Sequence, residues 1–382
     1  MERALNAISG IPYAMVAAII SLMICCWSCA SESDEPGGND GMTILSIRIN
    51  LANAISPSAE MPGLRAGEEY DSDKLPANEL EKMHTVRIII INSSGMVEHN
   101  SLWDLTASPD IVATGADFPV SSNDTKQIIL VANEAQATVT LSDGEAIAAR
   151  DYFRRFRASV GSLVNLDELR SLTHATTDNN SDATFGDCIH GPLAMSAIHQ
   201  YHIGNAELYS ATFLIHRAAV KYTYRITNLD SQSHSVNYIK VNNIASRQFF
   251  FPDADFADGA QNSVTRYRTP AGAGSKELTL PVNRIIMPGE TAELGPFYFP
   301  EGTETGDQNP YKTAFAFDNV FAGWRTLEWA DPGNPDYRTP MTDLPRNTHV
   351  IVNVTFNYSG FSIDYTVCPW NIHDNIEIPP FN

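Results

Sequence analysis

Three thiols stand within five residues at Cys25-Cys26-Trp27-Ser28-Cys29, in a chain that holds five cysteines in all. No histidine lies at a spacing that would complete a zinc site with them, so no structural metal is expected. The other two, Cys188 and Cys368, are too few and too far apart to make a disulfide framework. Elsewhere the patterns that carry catalysis are missing: there is no Gly-x-Ser-x-Gly elbow, no His-Glu-x-x-His and no phosphate-binding glycine loop. Asp253-Ala-Asp255-Phe-Ala-Asp258-Gly259 has the flavour of a calcium loop. Its spacing is one residue off, however, and Val264 stands where the bidentate glutamate belongs, so it reads as a solvated turn. His190, His199, His202 and His216 read as strand or turn residues. Asp364 and Asp374 lie in different strands with nothing to join them, and the glycosylation patterns at Asn353 and Asn357 fall in a strand and carry no assigned role. The expectation is a protein with no catalytic residue, no metal and no cofactor.

What remains for the thiol cluster is attachment. Ile11 to Ile24 is apolar except for Ser21 and follows a short opening with Arg3. It is too short to span a bilayer and has the length of the h-region of a secretory signal. Ser28-Cys29, just past that run, resembles the lipobox of bacterial lipoproteins. The resemblance implies cleavage after residue 28 and acylation of Cys29, since Ser28 is the only small residue before any of the three cysteines. Glu32, Asp34 and Glu35 resemble the surface-export signal of some Gram-negative anaerobes. Residues 1–28 are therefore expected to be a signal peptide, and the chain a lipoprotein held in the outer membrane and exposed outward.

The formal net charge is −20, from 45 acidic and 25 basic residues. Such a field repels phosphate backbones, which excludes nucleic acid as a partner. At 382 residues the chain is long enough for two domains. Val, Ile, Thr, Tyr and Phe are abundant and helix-period segments are few, so the fold class is all-β with short helices in the first half. Residues 29–43 read as a flexible tether. Leu45, Ile47, Ile49 and Leu51 alternate with polar residues, the mark of a half-buried strand. Val86–Ile91 and Lys126–Ala132 read as buried strands. Ser142-Asp-Gly-Glu145 reads as a capping box opening a helix over Ala146–Ala158, and Asn165 opens a shorter one. The second half reads as strands at Tyr209–Leu214, Ala218–Thr227, Ser235–Val241, Ser275–Leu280, Thr291–Phe299, Thr348–Tyr358 and Phe361–Val367. The last two are joined at Ser359-Gly360, and Gly302 to Pro345 reads as a long Pro/Asp/Gly-rich stretch. The boundary between the halves is placed near Gly204, giving domains over 44–204 and 205–382.

Four short motifs then resemble one family in its own order. Pro192-Leu-Ala-Met-Ser-Ala197 and His216-Arg217-Ala218-Ala219-Val220 resemble the segments that close the first and open the second domain of fimbrillins, the subunits of type V pili. Arg346-Asn347-Thr348-His349 resembles the approach to their penultimate strand, and Val367-Cys368-Pro369-Trp370 the close of the last. The resemblance implies two transthyretin-like β-sandwich domains in tandem and assembly with other pilus subunits by strand complementation. It also implies a surface protease that cuts between Arg65 and Ala66 and discards residues 44–65 with the first strand, Leu45, Ile47, Ile49 and Leu51. The donor strand is then the tail 371–382, whose Ile372, Ile376 and Ile378 share one face broken only by Asp374. Anchor and tip subunits share the fold, so stalk, anchor and tip roles stay open, as do host or bacterial surface ligands. A surface carbohydrate-binding lipoprotein is the rival from another class, with Trp103, Trp324 and Trp329 as its candidate platform.

Overall fold

The computed structural model describes residues 41–52, 78–110, 112–158, 161–175, 191–252, 270, 274–303, 312–331, 334–340, 343–344, 346–358 and 360–369. Strands make up 63% and helix 8% of it, which makes the fold all-β with short helices. The chain from Met42 onward forms one compact unit.

The first half contains β1 (Met42–Leu51), β2 (Thr85–Ile91), β3 (Val97–Asp104), β4 (Val112–Ser121), β5 (Asp124–Ala132), β6 (Thr138–Thr140) and β7 (Ala146–Ala148). Helices α1 (Ala149–Arg154) and α2 (Leu166–Ser171), strand β8 (Thr173–Ala175), β9 (Met195–Ile203) and β10 (Leu208–Arg217) follow. Seven of these strands form one sheet in the order β3-β2-β5-β9-β10-β1-β4. β9 joins β10 through the two pairs Ser196–His216 and Met195–Arg217. The sheet curls round its own core, and its two ends meet where Trp103 of β3 stacks on Phe118 of β4, ring centroids 6.2 Å apart.

Burial explains the two kinds of strand pattern. Leu45, Ile47, Ile49 and Leu51 of β1 are buried while the residues between them are less so, as alternation requires. β2 and β5 are covered on both faces. Ile88, Ile90, Ile128 and Leu130 point into the core inside the sheet, whereas Ile89, Ile91, Ile129 and Val131 pack under Tyr152, Phe153, Leu169 and Phe250. A strand covered twice has no solvent face to mark with polar residues, so residues 88–91 and 128–132 read as unbroken apolar runs.

Two local expectations change. Ser142-Asp-Gly-Glu145 is a hairpin turn, not a capping box. The Leu141 amide donates to the Glu145 carbonyl at 2.9 Å, and Gly144 takes a φ of 91°. This turn joins β6 to β7, so α1 begins at Ala149 and ends at Arg154 instead of filling 146–158. The shorter helix is capped as expected: Asn165 accepts from the amides of Asp167 and Glu168 at 3.0 and 3.4 Å.

The second half contains β11 (Val220–Asn228), β12 (His234–Ala245), β13 (Arg247–Phe249), β14 (Ser275–Ile286), β15 (Thr291–Phe299), β16 (Gly302–Thr303) and β17 (Lys312–Phe317). β18 (Val320–Arg325), β19 (Glu328–Asp331), β20 (Asn334–Pro340), β21 (Asp343–Leu344), β22 (Thr348–Asn357) and β23 (Gly360–Pro369) complete it. Sheets ordered β15-β11-β22-β23 and β14-β12-β17-β18 enclose one core that holds Tyr222, Tyr224, Phe299, Phe315, Val350, Val352, Val354 and Phe356. β17 and β18 lie in the stretch read from sequence as Pro/Asp/Gly-rich, where no strand is expected. Asp318 and Asn319, at φ of 50° and 63°, turn one strand into the other. Asn357 pairs with Gly360, so the last hairpin turns one residue earlier than expected.

The expected boundary at Gly204 does not begin a new sheet. β10, which follows it, pairs in parallel with β1 and belongs to the first core. The chain passes from one core to the other at Ala218–Ala219, and β13 returns to pair with β8 beside the first core.

Candidate functional site

β1 lies inside its sheet, between a parallel neighbour and an antiparallel one. Leu45 to Leu51 run alongside Tyr209 to Ile215 of β10, and Met42 to Asn50 lie against Ser121 to Val112 of β4. Leu45 and Ile49 are wholly buried and Ile47 nearly so. Side chains of this kind contribute roughly 1.5–3 kcal/mol each on burial. Without β1 the sheet would keep two facing rows of unpaired backbone groups and an open apolar trough. This slot is the candidate site.

Both ends of the strand are pinned. At its start, the Thr43 hydroxyl donates to the Ala206 carbonyl and the Ile44 amide to the Glu207 carbonyl. At its end, the Ala52 amide donates to Ile215 at 2.9 Å, and the Ala52 carbonyl accepts from Nδ2 of Asn347 at 2.9 Å. Asn347 belongs to the approach to β22, in the other half of the molecule. Its own amide donates to Ala219 at 2.7 Å, and its Oδ1 accepts from Nη1 of Arg217 at 2.9 Å. It adopts a φ of 64°, a left-handed conformation that asparagine tolerates better than most residues.

Asn78, the next described residue, is also held by the second half. Asn78 caps the single turn Glu79–Glu81, accepting from Leu80 and Glu81 amides at 2.9 and 3.2 Å. Its Nδ2 donates to the Tyr298 hydroxyl at 2.7 Å. Tyr298 donates in turn to Glu81 at 2.8 Å, and Lys221 pairs with the same carboxylate at 2.9 Å. Burial, then the Glu81 charge, pushes the Tyr298 hydroxyl well above its ordinary range, so it stays a donor. Ala52 and Asn78, the two sides of the segment that carries Arg65, are thus each tied to the second half.

Around this junction the four sequence motifs converge. Ala218 donates to Ala194 at 2.8 Å, Leu193 to Leu80 at 2.8 Å, and Thr348 pairs with Pro369. Arg346 is fully buried; it donates to the carbonyls of Phe250, at 3.0 Å, and Phe249, and it pairs with Glu301. Gln248 bridges Ala218 and Glu301, at 2.6 and 2.9 Å. Desolvation pulls Arg217 down to about 10, partly offset by Glu81 and Tyr298, which leaves it a cation at neutral pH. His216 is pushed down to about 3 by burial and then by the charges of His199, Arg346 and Arg217, so it is neutral. Gln248, Glu301, Glu81 and Tyr298 carry no motif in the sequence, since a buried partner is indistinguishable there from an exposed polar residue.

His199 and His202 lie in β9 and His216 in β10, as strand residues. Cys29, Arg65, Ala66, Cys188, the Asp253–Gly259 segment and Ile372, Ile376 and Ile378 lie outside the described residues. Among the described residues no group of three or more His, Cys, Asp or Glu is placed to hold a metal ion. Trp103 is half-buried on Phe118 and Trp324 half-buried in β18 beside Phe321.

No protein-family model matches this chain, and no curated protein does. Solved structures do match. A candidate cell-adhesion protein from Parabacteroides distasonis is similar over 85% of this chain and 96% of its own, with 12% identity and a TM-score of 0.52. The tip fimbrial protein Mfa3 from Porphyromonas gingivalis, with a C-terminal truncation, is similar over 86% of this chain and 100% of its own, with 10% identity and a TM-score of 0.50. At these identities the likeness speaks to fold. The fold of this chain is the one these cell-adhesion and tip fimbrial proteins have.

Proposed function

We propose that this chain is a non-catalytic structural or adhesive subunit of a cell-surface fimbria, built from two transthyretin-like sandwich domains and assembled by donor-strand exchange. In this reading Cys29 is acylated after export and holds the precursor in the outer membrane. A cut between Arg65 and Ala66 then separates β1 from the rest of the chain. A strand from another subunit fills the vacated slot, and the tail 371–382 serves as the strand this subunit offers. The observation that carries the reading is the position of β1, an interior strand that contributes four buried aliphatic side chains and precedes Arg65 in the chain. Losing it uncovers roughly 6–12 kcal/mol of buried apolar side chain, which drives uptake of a replacement. A stalk subunit both accepts and offers a strand; that head-to-tail contact does not close and grows as a fibre. An anchor or tip subunit uses only one of the two.

The carbohydrate-binding alternative has less support, because Trp103 is packed between β3 and β4 instead of standing clear as a platform. The experiment that tests the proposal is N-terminal sequencing of the protein recovered from sheared surface filaments. A start at Ala66 is expected. A lipidated Cys29 on protein that stays with the membrane points to the anchor role, and absence from every filament overturns the reading.

A further inference from the structure

We propose that Asn347, oriented by Arg217, is the latch and register stop of the β1 slot: it holds the last carbonyl of whichever strand lies there. The inference rests on the donor-strand reading for its biological meaning but on geometry for its substance. Main-chain pairing along β1 involves β4 and β10, both of the first half. At Ala52 the partner changes, and its carbonyl is received by a side chain 295 residues away in sequence. That amide has little freedom. Its oxygen accepts from Arg217, its backbone amide is held by Ala219, and the residue is completely buried. With Oδ1 committed to a guanidinium donor, the amide must present Nδ2 to the slot, so it offers a hydrogen-bond donor and no acceptor. An extended strand meets that requirement only if a carbonyl falls at this point, and a shift of one residue turns every side chain to the other face. The latch therefore fixes register at the end of the slot nearest the second half.

The latch also adjoins the end of the last described strand pair. Asn347 immediately precedes β22, whose first residue, Thr348, pairs with Pro369, the last of β23. Pro369, the last described residue before the tail 371–382, thus pairs with the residue next to the latch.

Amide hydrogen exchange on the intact, unpolymerised chain tests this whether or not Arg65 is cut or filaments form. Asn347→Gly keeps the left-handed backbone and deletes the latch. The amide of Ala52, bonded to Ile215, is expected to exchange about tenfold faster, the equivalent of one lost buried hydrogen bond. Ile44 to Ile47 at the other end of β1, and the strands β11 and β22, should stay within a factor of two. Asn347→Asp keeps size and the Arg217 contact but removes the donor, and the same local rise is expected. Unchanged exchange at Ala52 in both variants, or a rise spread evenly through β11 and β22, overturns the latch. Filament loss with unchanged exchange would count against the latch and leave the assembly reading standing. Faster exchange in a chain absent from every filament would support the latch and sink the assembly reading.

Discussion

Arg217 and Asn347 lie 130 residues apart in sequence, yet Nη1 of one donates to Oδ1 of the other at 2.9 Å in the interior of the molecule. Each stands in a motif that has no catalytic chemistry, and the pair meets where the first strand ends. The motifs therefore mark a junction between two cores. Arg346, in the motif of Asn347, is held there by the carbonyls of Phe249 and Phe250 and the Glu301 carboxylate.

The buried Arg346–Glu301 pair makes this measurable. Arg346→Met leaves the Glu301 carboxylate buried with no cation and frees the carbonyls of Phe249 and Phe250. A loss of about 3–5 kcal/mol in urea unfolding is expected. Arg346→Met combined with Glu301→Leu should recover part of it, because the stranded charge goes too. If the single variant unfolds like wild type, the pair contributes nothing to the junction.

Acid should destabilise the protein before its carboxylates titrate. Burial holds His199 at about 4 and His216 at about 3, both below the ordinary 6.5. The folded state keeps them neutral, while the unfolded chain takes up protons as pH falls below 6.5. Stability is therefore full above that value and declines as pH drops toward 4 and then 3. His234 works in the opposite sense. Its hydrogen bonds to Asp318 and Asp230 raise it, so its contribution is present at low pH and lost as pH rises past its raised value. Urea midpoints between pH 7.5 and 5 should fall, and His216→Asn should flatten that fall. An unchanged slope in the variant assigns the acid sensitivity elsewhere.

Strand content was legible because burial imposes period two wherever one face meets water, as in β1. The alternation also held in β22, where Val350, Val352, Val354 and Phe356 face the core as read. Ser142–Glu145 misled because serine, glycine and an acidic residue suit a tight turn as well as a helix start, and only the pairing of Val139 with Ile147 decides between them. The Gly204 boundary failed for a related reason. The parallel partnership of β10 with β1 is non-local, and nothing in either strand announces the other. The junction network was illegible in its chemistry, since Glu81, Gln248 and Glu301 look like surface residues until their partners are in place.

Surface attachment has its own test. Cells fed a fatty-acid analogue should label this protein, and Cys29→Ala should abolish the label while Cys25→Ala and Cys26→Ala leave it. Undiminished labelling of the Cys29 variant removes the anchor assignment and with it the outer-membrane location.

The tail is a flawed match for the slot of an identical copy, and this predicts slow self-assembly. With Ile372 set in the place of Leu45, and the strand running in the direction of β1, Asp374 falls where Ile47 is 2% exposed. Run the other way, with Ile372 in the place of Leu51, Asp374 takes the place of the fully buried Ile49. An isolated carboxylate in either position costs several kcal/mol, about 2–7 for a polar group left without a partner and more if it stays charged. Sliding the tail so that Ile376 takes the place of Leu45 sets Asp374 at Thr43, which is also buried, and Pro380 at Ile49, which removes a backbone donor from the ladder. The unbroken alternation that the slot was built around is better met by a strand without the aspartate. Asp374→Val in protein cleaved at Arg65 should therefore raise the rate of polymer formation at least tenfold, followed by light scattering at matched concentration. Removal of residues 371–382 should abolish it. If Asp374→Val and wild type polymerise at the same rate, and the truncated protein does too, the tail does not enter the slot and pairs within its own sheet.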